Sequence, residues 1–214
     1  MGVRRKIDLA HPQRSVLAEA ARVIRSGGLI VYPTETLYGI GANAVDANAV
    51  RRVSEAKKRK EAKPIPLIVH SREVLEVLVE RISPSAEALM KAFWPGPLTL
   101  VFLSSSRVPD EVTKGSGTVG VRIPSSTLCL ELLAQCGGPL TATSANISGE
   151  TVLRTVPEIR EALSSGVNLY LDAGELPLSM PSTVLDVAGD VPRLLRDGAV
   201  PIEQILQVVP NVER

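Results

Sequence analysis

The sequence predicts a single α/β domain, a twisted, open, mixed sheet flanked by helices. Three observations lead there. Short apolar runs of strand length alternate irregularly with longer runs of helical period along the chain. No internal repeat, low-complexity tract or linker divides the 214 residues, and 44% hydrophobic content is ample for one core. Several apolar runs end in hydroxyl, amide and glycine residues, and strand ends converge on a site in folds of this kind. The expected domain spans residues 12–208, with 1–11 as an N-terminal extension and 209–214 as a C-terminal tail.

The elements follow in order. Val16, Leu17, Ala20, Val23 and Ile24 recur at helical spacing within Pro12 to Arg25, and Gly27-Gly28 ends that helix. Leu29 to Tyr32 is a short buried strand. Pro33 to Asn43 is a second strand end that opens into hydroxyls, a carboxylate and permissive glycines. Asp46 is placed to cap a helix running to about Lys58, with Val50, Val53 and Ala56 on its apolar side. That helix ends in the basic run Lys57 to Lys63, which suits either a solvated helix end or a phosphate-holding loop pinned by Pro64 and Pro66.

Leu67 to His70 is the next strand. Ser71 to Glu80 and Ser83 to Ala92 are helices, the second opened by a Ser-Pro cap. Trp94-Pro95-Gly96-Pro97 turns into the strand Leu98 to Leu103, and Ser104 to Gly117 is a polar loop. Thr118 to Pro124 is a strand carrying Arg122 between apolar neighbours; such an arginine needs an anion, internal or bound. Ser125 or Ser126 caps the helix Thr127 to Gln135. Val156 to Ala162 is a helix, Val167 to Leu171, Pro181 to Val187 and Val191 to Leu195 are strands, and Ile202 to Val208 is a closing helix after Pro201.

The chain is organised around Gly138 to Gly149, where a short strand-like run becomes Thr141, Thr143, Ser144, Asn146 and Ser148 interleaved with Ala and Gly. Small side chains let backbone approach a ligand, and hydroxyls and amides both donate and accept. The stretch therefore reads either as a Ser/Asn-rich turn or as the floor of a pocket for a polar, phosphate-bearing ligand.

Composition removes several classes. A net charge of +1, from 24 basic and 23 acidic residues, is not the basic excess of a general nucleic-acid binder. Six aromatic residues (one Trp, three Tyr, two Phe) offer little for base stacking. No run approaches 18 apolar residues and no apolar signal core follows the basic start, so a cytoplasmic protein without a membrane partner is expected. Cys129 and Cys136 lie seven apart on one expected helix, about 10 Å along its axis, too far for a disulfide between them. P-loop, Rossmann and nucleophile-elbow patterns are absent, as is a metal-ligand cluster.

What remains is a set of hydroxyl-bearing strand ends (Thr34, Thr36, Thr118, Ser144, Ser182, Thr183) with separated cations (Lys57, Arg59, Lys63, Arg122, Arg196). Cations and hydroxyls suit carboxylate and polyphosphate ligands, and they act by positioning and by neutralising developing charge. The residues alone therefore point to binding of an anionic metabolite or nucleotide.

Several runs together resemble the YrdC-type threonylcarbamoyl-AMP synthase family. They are Tyr32-Pro33-Thr34-Glu35-Thr36-Leu37-Tyr38-Gly39-Ile40-Gly41-Ala42-Asn43-Ala44, the pair Lys57 and Arg59, Pro66-Leu67-Ile68-Val69-His70, Trp94-Pro95-Gly96-Pro97-Leu98-Thr99-Leu100-Val101 and Val119-Gly120-Val121-Arg122-Ile123-Pro124. Thr143-Ser144-Ala145-Asn146-Ile147-Ser148-Gly149, Pro181-Ser182-Thr183-Val184-Leu185-Asp186 and Leu195-Arg196-Asp197-Gly198 follow in the family's order. The resemblance covers about residues 15 to 205.

The resemblance implies the YrdC-like fold, an open sheet around a concave, positively charged cavity. It also implies a nucleotidyltransferase reaction: L-threonine, bicarbonate and ATP, with Mg2+, give L-threonylcarbamoyl-adenylate and pyrophosphate. The product passes to a separate transferase that modifies adenosine 37 of tRNA, and weak tRNA contact is compatible with that role. Carried over residue by residue, Thr36, His70, Arg122 and Ser182 line the threonine site, with the Ala142 backbone close by and Arg122 gripping the threonine carboxylate. Lys57, Arg59, Lys63, Thr118, Ser144, Asn146 and Arg196 fall on the nucleotide side, where Lys57 and Arg59, the catalytic pair, neutralise the triphosphate and the departing pyrophosphate. His70 is a candidate base or a positioning group.

The chain departs from the family pattern at Lys60 and Asp197, where proline is usual, at Glu150-Thr151-Val152, and in a longer loop before Pro66. Two rival readings remain, one from another class and one that shares this fold family. One is a non-catalytic module that grips tRNA or double-stranded RNA. The other is a carbamoyl-transfer module of a larger maturation enzyme, which would need acylphosphatase and zinc-finger modules.

Overall fold

The computed structural model describes residues 2–59, 63–163, 166–177 and 179–214. Lys60, one of the departures from the family pattern, lies outside the described residues, as do Glu61 and Ala62. The chain runs through β1 (Val3–Lys6), α1 (Arg14–Arg25), β2 (Ile30–Pro33), β3 (Tyr38–Gly41), α2 (Ala47–Ala56), β4 (Leu67–Ile68), α3 (Arg72–Leu78) and α4 (Pro84–Phe93). It continues through β5 (Leu98–Leu103), α5 (Asp110–Thr113), β6 (Thr118–Arg122), α6 (Thr127–Cys136), β7 (Leu140–Thr141) and β8 (Thr143–Ser144). It closes with α7 (Val156–Leu163), β9 (Leu169–Asp172), β10 (Thr183–Asp186), β11 (Arg193–Arg196) and α8 (Ile202–Val208).

Local chemistry explains the helix starts. The Asp46 carboxylate accepts from the Asn48 and Ala49 amides at 2.9 and 3.2 Å, satisfying two donors that α2 cannot pair internally. Ser83 does the same for Ala86 at 3.2 Å, and Ser126 rather than Ser125 caps α6 through Cys129 at 3.3 Å. The first helix starts at Arg14 with Gln13 as its cap, two residues later than Pro12 suggested. The polar stretch 104–117 contains the short helix α5, closed by Lys114 in the left-handed region.

The α/β class holds, but the described strands form two mixed sheets rather than one. Their orders are β1-β9-β2-β3-β8 and β11-β10-β5-β6-β4-β7. The stretch 138–149 is the reason. Its strand-like start divides at Ala142: β7 pairs antiparallel with β4 in the second sheet, and β8 pairs antiparallel with β3 in the first. The Thr141 hydroxyl, fully buried, donates to the Ile40 carbonyl at 2.9 Å and accepts from the Ala42 amide at 3.0 Å. The Ala142 amide donates to the Pro66 carbonyl at 2.8 Å. One short segment thus joins both sheets.

Residues 1–11, to which the sequence assigned no element, contribute β1 as a parallel edge strand on β9. Near the other end, the Leu194 amide donates to the Glu213 carbonyl at 2.8 Å, so the tail folds back onto β11.

The core lies on both faces of the first sheet. Along β2, Ile30 and Tyr32 pack with Leu17, Leu128 and Leu132 under α1 and α6, while Val31 packs with Val50, Val53 and Leu67 on the other face. Burial on both faces accounts for the unbroken apolar run Leu29 to Tyr32. Gly41 makes room for the Tyr32 ring: a Cβ there would stand 2.9 Å from Tyr32 Cε1. Cys129 and Cys136 are free thiols on α6.

Candidate active site

The loop from β2 to β3 is shaped by Thr34. Its hydroxyl donates to the Leu37 carbonyl at 2.7 Å and accepts from the Thr36 and Leu37 amides, each at 3.1 Å. Its Oγ1 lies 3.0 Å from that of Thr36. This turn holds Glu35 at its tip and aims it at the second sheet. There the Glu35 carboxylate forms an ion pair with Arg122, whose side chain is 8% exposed against 19% for Glu35. Arg122 therefore has an internal anion, one of the two alternatives its burial demanded.

Strand register sets the neighbours of Arg122. Leu100 pairs with Val121, Thr99 with Val184, and Val184 with Arg196, so Arg122, Thr99, Val184 and Arg196 form one row across β6, β5, β10 and β11. Ser182 stands beside this row. Its hydroxyl lies 2.8 Å from Thr99 Oγ1 and accepts from Arg196 Nη2 at 3.1 Å. The same guanidinium donates to the Ser182 carbonyl at 2.6 and 3.2 Å. Burial, and then the positive charge of Arg122, lower the pKa of Arg196 from its ordinary value. Two guanidiniums thus share one end of the sheet with one carboxylate. The Val69 amide donates to the Arg122 carbonyl at 3.1 Å, placing His70 one residue beyond, and His70 Nδ1 is buried without a hydrogen-bond partner among the described residues.

A second group forms around Lys57 at the C-terminal end of α2. Lys57 is 3% exposed. Its ammonium donates to the Ser144 carbonyl, to the Asn146 carbonyl at 2.8 Å and to Asn146 Oδ1 at 3.4 Å. Its own carbonyl accepts from the Ser148 amide at 3.0 Å. Burial, reinforced by the charge of Arg59, lowers its pKa to about 8. Ser144 donates to Asn146 Oδ1, and Asn146 Nδ2 donates to the Glu150 carbonyl at 2.6 Å. The lysine expected to face phosphates is the strut that shapes the Ser144–Ser148 loop. Arg59 donates to the Pro64 carbonyl at 3.3 Å, and Lys63 is exposed beside it.

The two groups meet through β3, because Ser144 pairs with Gly39 and the Ala145 amide donates to the Tyr38 carbonyl at 2.9 Å. Ser182 and Arg196, expected on opposite sides of the site, touch directly. Thr118 starts the strand that Arg122 ends, which separates them by roughly 13 Å at the usual rise. Its hydroxyl lies 3.0 Å from Ser116 Oγ.

Sequence reasoning assigned no role to Glu35 or Thr99. Glu35 had a signal, a carboxylate between two threonines in a chain that also held an arginine needing an anion. Thr99 had only its place as the hydroxyl within an apolar strand.

A mixed α/β scaffold with hydroxyl-lined strand ends and buried cations defines a class of protein whose site chemistry suits carboxylate- and phosphate-bearing ligands. Residues 22–198 match the Sua5/YciO/YrdC family model, described as telomere recombination, and the chain belongs to that family. It is 43% identical over 193 residues to a Pyrococcus abyssi protein named threonylcarbamoyl-AMP synthase, covering 90% of this chain and 57% of that protein. A Bacillus subtilis protein of the same name is 38% identical over 196 residues, covering 90% of this chain and 56% of that one. The crystal structure of P. abyssi Sua5 complexed with L-threonine superposes with a TM-score of 0.91 at 39% identity, across 100% of this chain and 62% of that one. The chain thus spans little more than half the length of these two curated relatives.

Proposed function

We propose that this chain is an L-threonylcarbamoyl-AMP synthase, a nucleotidyltransferase that forms L-threonylcarbamoyl-adenylate and pyrophosphate from L-threonine, bicarbonate and ATP. The observation that carries this reading is the Arg122, Ser182 and Arg196 cluster, a paired-cation site beside hydroxyls, in a family with a member crystallised with L-threonine.

In this reading Arg122 takes the threonine carboxylate, and Thr36, His70, Ser182 and the Ala142 backbone enclose the rest of the amino acid. The deprotonated amine meets carbon dioxide or bicarbonate in the desolvated pocket. A carbamate oxygen then attacks the α-phosphorus of ATP, the bond from that phosphorus to the bridging oxygen breaks, and pyrophosphate leaves. Arg59, Lys63, Thr118 and Arg196 serve the phosphates and nucleotide, giving the cavity its positive character. Lys57 neutralises from behind the loop that presents Ser144 and Asn146.

Mg2+ arrives with ATP. Among the described residues no group of three His, Cys, Asp or Glu side chains is arranged for a metal, and the hydroxyl and cation set suits an ion held through phosphates. Bound there, it would neutralise phosphate charge. The product feeds a tRNA threonylcarbamoyl transferase, with weak tRNA contact, in the cytoplasm. No helix among the described residues is long and apolar enough to cross a membrane.

The test is pyrophosphate release from ATP with threonine and bicarbonate each omitted in turn. Release that requires both is the expected result. No release, together with salt-sensitive RNA binding in the absence of ATP, would replace this reading with the RNA-binding module.

A further inference from the structure

Glu35 is a half-buried acid to which the proposed reaction gives no task. One carboxylate oxygen, Oε1, accepts from Arg122 Nη1. The other, Oε2, is buried and has no hydrogen-bond partner among the described residues. Leaving a charged oxygen without a donor forfeits the hydration it had in water, and native proteins keep such atoms where a ligand supplies the missing bond. The Thr34 turn fixes the backbone on either side of Glu35, so the carboxylate is held at the site by three local hydrogen bonds. The anion stands in a cationic setting, since the charge of Arg122 also reaches Arg196.

We propose that Glu35 reads the α-ammonium group of a zwitterionic amino-acid substrate, while Arg122 reads its carboxylate. This rests on the threonine reading and deepens it. In the ligand-free protein the two side chains neutralise each other. An amino acid entering between them replaces one internal ion pair with two, gives Oε2 the N–H donor it lacks, and leaves the net charge of the site unchanged. Acids without an amine meet the same arginine but leave Glu35 unpaired beside a second carboxylate, which rejects them. Glu35 is a positioning and specificity residue in this scheme.

The test is calorimetric titration of the full chain, wild type and Glu35→Gln, with L-threonine and with (R)-3-hydroxybutyrate, which is threonine without its amine. Wild type is expected to prefer threonine at least ~tenfold, the scale of one charge-assisted contact. Glu35→Gln is expected to weaken threonine binding ~tenfold or more while holding or improving 3-hydroxybutyrate binding, so the preference collapses. Equal loss of both ligands in the variant would reduce Glu35 to a structural counter-ion and overturn the proposal. Equal affinity of the wild-type protein for the two ligands would overturn it as well, and decides the matter if the variant's circular dichroism shows it unfolded. Failure of wild type to bind threonine, with no threonine-dependent pyrophosphate release, would instead overturn the substrate reading on which the proposal stands.

Discussion

The Lys57 ammonium donates to the Asn146 carbonyl at 2.8 Å, across 89 positions of sequence. With its bond to the Ser144 carbonyl, this ties the end of α2 to the loop that follows β8. Without Lys57 the Asn146 carbonyl would lose its ammonium donor, and the Ser144 carbonyl would keep only, among the described residues, the Asn146 amide at 3.0 Å. Replacing Lys57 with Met keeps the volume and removes the donors, and should cost about 3 kcal/mol of stability, since buried acceptors lose a charged partner. Urea unfolding measures the loss. The same variant should weaken ATP binding through the displaced loop, and unchanged nucleotide affinity would argue that the loop does not contact nucleotide.

Lys57 also makes stability depend on pH. Its folded pKa, about 8, lies below the ordinary value of 10.5. Between those values the unfolded chain binds the proton more than the folded one, so folding gains stability as pH rises through the window. The burial penalty is fully present below pH 8 and is relieved toward pH 10.5, by about 3 kcal/mol in all. Wild type should gain on a Lys57→Gln variant between pH 8 and pH 10 when urea midpoints are compared. Parallel curves for the two proteins would contradict the assignment.

Arg122 and Glu35 should reveal their coupling in a double-mutant cycle. Arg122→Ala leaves a half-buried carboxylate without its cation and should cost about 2–4 kcal/mol. Adding Glu35→Ala should recover part of that loss, because it removes the stranded charge. Neither variant should release pyrophosphate in response to threonine. A double variant less stable than Arg122→Ala alone would show that the pair is not the main contact of either residue.

Gly198 is irreplaceable on steric grounds. A Cβ there would stand 2.4 Å from the Thr183 amide nitrogen and 2.5 Å from the Pro181 carbonyl oxygen. Both obstacles are backbone, so the Arg196–Gly198 segment must move away from Ser182. Gly198→Ala should cost about 1–3 kcal/mol and raise the KM for both threonine and ATP, since Ser182 and Arg196 are pulled apart. Thermal denaturation and steady-state kinetics read the two effects, and wild-type values for both would show that the contact relaxes freely.

The two thiols should be poorly reactive in the folded protein. Burial pushes Cys129 up to about 12 and Cys136 up to about 11, so little thiolate is present near neutral pH. A maleimide reagent at pH 7.5 should label Cys136, the more exposed, slowly, and Cys129 only after denaturation. Rapid labelling of both without denaturant would contradict the packing of α6.

Elements whose cause is local were legible in the sequence. Asp46, Ser83 and Ser126 cap helices because a short polar side chain reaches amides two or three residues ahead. The strand Leu98–Leu103 and the helix Ile202–Val208 have the bounds their patterns suggested, since apolar run and periodicity coincide with what each element buries. The family could be read in the same way, because its runs keep their order along the chain and need no folding to be recognised. Composition alone did not reveal β1: Val3–Lys6 is exposed throughout and is a strand only because β9 offers it a parallel edge.

Tertiary structure decided the site. The split of residues 138–149 between two sheets depends on where β3 and β4 end, and nothing within those twelve residues states it. Arg122 needed an anion by its sequence, but only the approach of a loop 87 residues away made that anion Glu35. Lys57 read as a nucleotide-side cation, and only packing showed that it is buried against the Ser144 and Asn146 carbonyls. The physical reason is common to all three. Propensity, capping and periodicity act over a few residues, whereas desolvation acts on whatever the fold brings together, and it favours partners for buried charges wherever in the sequence they lie.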